Sequence, residues 1–195
     1  MYKVYGSVRS RAARVIWLLE ELGQPYELIK VGPRDPQVVA LNQTGKIPVL
    51  EDDGQLISDS SAIMTYLADK HGAFTYPAGS YDRAIQDSLF HAILDELDAV
   101  LWVTARHGFI LPEDKRAPGI SEAAKWEFDN NFRRLERRFQ GPFLLGDQMT
   151  IADILLVHCM SWAKGAGFPL NSDVLKTYGK EMRNRTAYKK LAELS

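Results

Sequence analysis

The stretch IPVLEDDGQLIS, residues 47–58, limits the fold more than any other part of the chain. Asp53-Gly54 separates two short apolar runs, and this dipeptide is a strong signal for a two-residue hairpin, whose central residues take positive φ. The first run opens on Pro48, which has no N–H to give to a ladder. An antiparallel pair headed by a proline is therefore expected. Such a pair does not persist alone, so its partners must come from the flanking sequence.

The N-terminal flank supplies them. YKVY (residues 2–5) alternates with period two, and RAARVIWLLEELG (11–23) puts Ala12, Val15, Ile16, Leu19 and Leu22 on one helical face before Gly23 provides a stop. PYELIKV reads as a second strand, parallel to the first because the helix carries the chain back across the sheet. DPQVVALN reads as a short helix, and the hairpin follows. DSSAIMTYLADKHG then reads as a helix with Ser58 or Asp59 as N-cap, Ile63, Tyr66 and Leu67 inward, and Gly72 at its end. The order is βαβ, helix, ββα.

HGAFTYPAGSYD concentrates Gly, Pro and Ser and reads as a linker, after which the chain is helical. From Arg83 to about His107, Leu89, Ile93, Leu97, Val100 and Leu101 recur at helical spacing, and a second periodic run spans Ser121 to about Phe139. Thr150 followed by Asp153 is a capping-box variant, with Met149 and Ile154 placed as its hydrophobic staple.

Composition bounds the function. Among 195 residues, 46% are hydrophobic, enough for a real core, and 24 basic against 25 acidic groups leave a net charge of -1. That balance gives no attraction to nucleic acid or an anionic membrane. The sequence has no apolar run long enough to span a bilayer, and MYKVYGSVRS lacks the apolar block of a signal peptide, so a cytoplasmic protein is expected. Cys159 is the single cysteine, which excludes an internal disulfide and a C-x-x-C pair. The histidines at 71, 91, 107 and 158 lack metal-ligand spacing, and no metal is expected.

Pro48 has two readings. It can simply begin an edge strand, or a cis peptide bond can turn the main chain of Ile47 outward to pair with an extended, peptide-like ligand. Asp59 and Ser60 also have two. They can be ordinary caps, or they can take an amine on the acid and a carboxylate on the hydroxyl and the positive end of the helix.

GKIPVL, SDSSAIMTYL, the N-terminal strand with RVIWLLEELG, and LLGDQMTIADI together resemble the glutathione transferases, along nearly the whole chain; the first and last are the most diagnostic. The resemblance, to a bacterial-type member with a serine-type active site, implies an α/β plus all-α protein. A thioredoxin-like domain over 1–75 would bind glutathione, and an all-helical domain would follow over 82–195. It further implies a homodimer, a detoxification role, and addition of the glutathione thiolate to a small hydrophobic electrophile held between the domains.

That chemistry needs a thiolate, and a free thiol has a pKa of about 8.5. A hydroxyl donating to the sulfur favours the charged form. The resemblance assigns this role to Ser10, with Ser7 as the other candidate; Ser10 can also serve as a helix N-cap. It assigns Arg34 and Lys46 to the glycine end of glutathione, Ile47 and Pro48 to its main chain, and Asp59 and Ser60 to its γ-glutamyl end. Trp102, Arg106 and Phe109 would wall the electrophile pocket, or be helical core. Asp95 would reach across a dimer interface, or be a solvated helix charge.

Asp59 stands where glutamate is more usual, and Thr186 where proline is common. The alternatives are a glutathione-dependent isomerase on the same scaffold and a non-catalytic binding or regulatory protein. A thiol-dependent reductase would want cysteine near position 10, where this chain has serine. Arg133, Arg134, Arg137 and Arg138, with Glu136 among them, read as a solvated helix face. The residues do not name the electrophile.

Overall fold

The computed structural model describes residues 1–194. The chain forms a thioredoxin-like N-terminal domain followed by an all-helical C-terminal domain. Strands β1 (Tyr2–Gly6), β2 (Tyr26–Lys30), β3 (Val49–Asp52) and β4 (Gln55–Ser58) form a mixed sheet in the order β2-β1-β3-β4. β1 and β2 are parallel, with helix α1 (Ala12–Glu21) between them, while β3 runs antiparallel to both β1 and β4. Asp53 (φ 48°) and Gly54 (φ 81°) make the two-residue turn, both with positive φ as the dipeptide requires. Helix α2 (Pro36–Leu41) is capped by Asp35, whose carboxylate accepts from the Gln37 N–H.

Helix α3 (Ser60–His71) begins at Asp59 and ends at Gly72 in the left-handed conformation. It buries Ile63, Met64, Leu67 and Ala68. Tyr66, expected inward, is half-buried instead: its hydroxyl donates to Asp52 Oδ2 (2.6 Å), which holds the ring at the margin of the core.

Helix α1 departs from the expected single face. Every residue from Ala12 to Leu19 is buried, Arg14 and Trp17 included, while Leu22 is only half-buried. The reason lies at the chain's other end. Helix α9 (Thr186–Glu193) packs on α1 and covers the side that the sheet and α3 leave open. Arg185 clasps Glu21 with two hydrogen bonds (2.6 and 2.7 Å), Trp17 Nε1 donates to Glu21 (2.9 Å), and the Trp17 ring meets Tyr188 edge-on. Lys190 reaches Glu20 at 2.7 Å. The chain accordingly clusters into two compact units. One is residues 1–78 with the segment from Met182 onward; the other is residues 79–181.

The second unit is helical throughout. Helix α4 (Tyr81–Ile93) passes through a π-helical turn, Leu94–Asp98, into α5 (Ala99–Ala105), and a second π turn, Arg106–Ile110, follows. The single long helix expected here is thus interrupted twice. All five periodic positions, Leu89, Ile93, Leu97, Val100 and Leu101, are nevertheless buried. Helix α6 (Ile120–Glu136) follows, then α7 (Ile151–Gly165) and α8 (Asp173–Asn184). The capping box at Thr150 and Asp153 forms as the spacing requires, with Met149 and Ile154 buried beside it. Among the described residues, no helix is long and apolar enough to cross a membrane.

Candidate functional site

Three chain segments meet at the same end of the strands. Val49, the first residue of β3, is in register with both neighbours, opposite Tyr5 on one side and Ser58 on the other. The residues just beyond the ladder, Gly6, Pro48 and Asp59, are therefore brought side by side. Gly6 is required there by close approach, because a Cβ on it would lie 2.6 Å from Ala12 Cβ and 3.8 Å from Pro48 Cα. That contact seats the start of α1, with Ser7 and Ser10 before it, against the start of β3. The Ile47–Pro48 peptide bond is cis, and Ile47 stands outside the register of the ladder.

At the head of α3, Asp59 holds φ 77° and ψ 123°, a backbone conformation uncommon for a residue with a side chain. Its Oδ1 accepts from the N–H groups of Ser61 (2.8 Å) and Ala62 (3.2 Å) and from the Ser61 hydroxyl. Among the described residues Oδ2 has no partner, and the side chain faces solvent. Partial burial pushes the carboxyl pKa up. The Ser61 and Ala62 hydrogen bonds and the nearby Arg14 charge outweigh it, and the group is held below the usual aspartate range. Ser60, next in the chain, is buried and accepts a hydrogen bond from Arg14 Nη1 (3.2 Å).

The other end of the strip is basic. Arg34 and Lys46 are both exposed, and the Arg34 N–H donates to Gly45 O at 2.7 Å. Gly45 (φ 64°) is confined to glycine twice over, since a Cβ there would lie 3.2 Å from Arg34 Cα. Asn42 Nδ2 holds Lys46 O at 3.0 Å. The strip runs from two cations, through the main chain of Ile47 and Pro48, to an open carboxylate oxygen and a helix N-terminus. Such a sequence of groups suits an extended ligand with a carboxylate at one end and an amine beside a carboxylate at the other.

The two serines differ in what they can offer. Ser10 Oγ donates to Ser7 O (2.7 Å) and accepts from the Ala12 N–H (3.1 Å). The N-cap position of α1 itself belongs to Arg11, so Ser10 caps one residue early. Ser7 Oγ accepts from the Arg9 N–H (3.2 Å), and its proton has no acceptor among the described residues.

A profile of the glutathione S-transferase N-terminal domain matches residues 4–75, the whole of this strip. Those residues are a domain of the glutathione S-transferase family. The maleylacetoacetate isomerase of Rhizobium meliloti is 32% identical over 145 residues, covering 68% of this chain and 65% of that protein, just under two thirds of its length. A glutathione S-transferase of Pseudomonas putida is 28% identical over 174 residues, covering 86% of this chain and 77% of the relative. Among solved structures, the ternary complex of BphK, a bacterial transferase of the family, superposes with a TM-score of 0.87. Identity there is 22%, with 98% of each chain covered, and the likeness is one of fold.

The remaining family-derived positions lie in the helical unit. Trp102 is half-buried on α5; Arg106 and Phe109 stand exposed on the second π turn. Phe109, at 72% exposure, is not helical core, which corrects the second of its two readings. Asp95 is exposed on the first π turn. The four exposed arginines of α6 and the turn after it include two engaged locally, Arg133 with Asp129 and Arg134 with Asn131.

Arg14 went unnoticed in the sequence as a site residue. The signal was present: it is the only charged side chain in the fully buried run Ala12–Leu19.

Proposed function

We propose that this chain binds glutathione along the strip from Arg34 to Ser60 and adds its thiolate to a small hydrophobic electrophile, as a serine-type transferase. Residues 1–75 are the glutathione-binding domain, and the helical domain over 82–195 contributes Trp102, Arg106 and Phe109 to the electrophile. Asp59 Oδ2 takes the γ-glutamyl amine, Ser60 and the head of α3 take the neighbouring carboxylate, and Ile47 pairs with the tripeptide main chain. Lys46, with Arg34 beside it, takes the glycine carboxylate. One observation carries the reading: the open Asp59 Oδ2 at a helix N-terminus, at the far end of the strip from two exposed cations.

The sulfur then lies opposite the loop that precedes α1. Ser10 gives its hydroxyl hydrogen bond to the sulfur in place of Ser7 O, which lowers the thiol pKa and raises the thiolate fraction near neutral pH. The uncommitted Ser7 proton makes Ser7 the second candidate for the same role. The protein works in the cytoplasm as a two-fold dimer, to be checked by sedimentation, and detoxification is the role such conjugation would serve.

Calorimetric titration with glutathione tests the site. The wild type should bind, Asp59→Ala should lose binding, and Ser10→Ala should still bind. No heat and no competition at millimolar glutathione would end the reading.

A glutathione-dependent isomerase is the second reading, favoured by the identity with the Rhizobium meliloti enzyme. The two differ in stoichiometry. A conjugating enzyme consumes one glutathione per product, whereas an isomerase adds the thiolate, rotates a bond and returns the glutathione. Assays with an aryl halide and with a cis-dienone acid, following glutathione consumption, separate them. Binding without turnover in both assigns a binding role.

A further inference from the structure

Two of the four arginines that read as a solvated helix face, Arg134 and Arg138, line a cavity of about 220 Å³ in the helical unit, formed by α4, the first π turn, α6 and the turn after it. Its apolar lining includes Ile93, Leu97 and Leu135, all buried. The π turn supplies part of its polar wall. Asn131, only 4% exposed, donates from Nδ2 to the Glu96 carbonyl (2.8 Å), while its Oδ1 accepts from Arg134 Nη2. The Glu96 carboxylate closes this circuit loosely, 3.8 Å from Arg134. A π turn widens the helix locally, and such turns are frequent at functional sites.

Charge decides what such a cavity can hold. Arg134 is committed to Asn131 and Glu96, whereas the Arg138 guanidinium, one turn further on, has no partner among the described residues. Two cations against one anion leave a single positive charge, which matches a monoanion and disfavours a polyanion. Guanidinium pairs best with a planar carboxylate, through two parallel hydrogen bonds. The volume lies below the range of roughly 300–1,000 Å³ of drug-sized sites, so a single ring suits it and a tripeptide does not. We propose that this cavity is a binding site for a small aromatic monocarboxylate, with its ring against Ile93, Leu97 and Leu135 and its carboxylate on Arg138. None of these residues belongs to the glutathione strip, and the proposal is independent of that reading.

The test uses benzoate as the probe and benzamide as its uncharged counterpart, each titrated into the full chain and followed by amide chemical shifts. Benzoate should shift the resonances of residues 92–97 and 131–138. It should bind at about millimolar concentration or tighter, and about ten-fold more tightly than benzamide. Arg138→Gln changes an exposed side chain, should fold normally, and should cancel that preference. Glu96→Gln removes the competing carboxylate and should tighten benzoate binding by a few-fold. Ala92→Phe, at a half-buried position of the lining, puts a ring in the cavity and should abolish binding of both probes.

Equal affinities for benzoate and benzamide, or a preference that survives Arg138→Gln, overturn the proposal. So does an absence of shifts in this region at about 10 mM benzoate. A second copy of the chain seated over the cavity would give that same absence together with a dimer by sedimentation, and would reassign Arg138 to the subunit interface. Glutathione is titrated separately, and its failure to bind ends the glutathione reading alone.

Discussion

Helices α3 and α7 both begin with an acid and a hydroxyl, and the two starts are built to opposite ends. At α7, Thr150 and Asp153 are completely buried. Asp153 accepts from the N–H groups of Leu144 (2.9 Å) and Thr150 (2.8 Å), from the Thr150 hydroxyl (3.1 Å) and from the Tyr178 hydroxyl (2.7 Å). Both carboxylate oxygens are in use, and the cap ties α7 to α8 and to the loop before it. At α3, Asp59 uses one oxygen for capping and leaves the other in solvent, with its backbone at positive φ. A saturated cap is a folding device. An open one keeps capacity for a ligand, at some cost to the helix it starts.

The largest expected effect belongs to the sealed cap. Asp153→Ala leaves two backbone N–H groups and two hydroxyls to find new partners inside a buried site, and should cost roughly 3 kcal/mol or more of stability, measured by urea unfolding. Tyr178→Phe removes one donor and should cost about 1 kcal/mol. Glutathione affinity of the folded fraction should not change in either variant. A stable Asp153→Ala protein would show that the box is ornamental and erase the contrast with α3.

Asp59→Ala should invert that pattern. The lost cap costs about 1 kcal/mol, while glutathione binding falls by about ten- to hundred-fold through loss of a charge-assisted hydrogen bond to the amine. Calorimetry and thermal melting on the same samples separate the two effects. Normal affinity with reduced stability would make this cap no different in kind from that of α7.

The pH dependence sharpens the comparison further. The folded-state pKa of Asp59 is depressed, so its capping contribution is fully present above the ordinary carboxylate pKa of about 4 and is lost only as pH falls through the depressed value. The melting-temperature gap between wild type and Asp59→Ala should therefore stay constant from pH 7 to about pH 5 and close below about pH 4. A gap that closes near pH 6 would mean that the carboxyl is not held ionised by its neighbours.

Much of this contrast was legible in the chain itself. The Asp53-Gly54 turn, the Asp59 cap and the Thr150–Asp153 box are local chemistry, set within a few residues, and each forms as its sequence dictates. Long-range effects were not legible. That α1 would be buried on nearly all sides depends on a distant helix closing over it, through Arg185 and Glu21, 164 residues apart. The π turns hide within a pattern that suits a helix either way, though Leu89, Ile93 and Leu97 fall at two successive steps of four. Such steps drift on a 3.6-residue helix and are re-aligned by a wider turn. Lys46 and Asp59 were readable as candidates, and the two-residue Asp53-Gly54 turn also sets Val49 opposite Ser58; what no local motif encodes is that β1 pairs with β3 and brings Gly6 beside Pro48.

The smallest expected effect on stability tests which hydroxyl serves the sulfur. Ser10 Oγ is both donor to Ser7 O and acceptor from Ala12 N–H, so Ser10→Ala should cost about 1 kcal/mol or less and leave glutathione affinity intact. What it should change is the thiol. Followed by thiolate absorbance in the enzyme complex, the pKa of bound glutathione should rise toward that of the free thiol, with conjugation at pH 6.5 falling in proportion to the lost thiolate. Ser7→Ala is the counterpart, because the Ser7 proton is the one left without an acceptor in the loop. If Ser7→Ala moves the thiol pKa and Ser10→Ala does not, the roles exchange: Ser7 is the donor to sulfur, and Ser10 is the cap that holds its carbonyl.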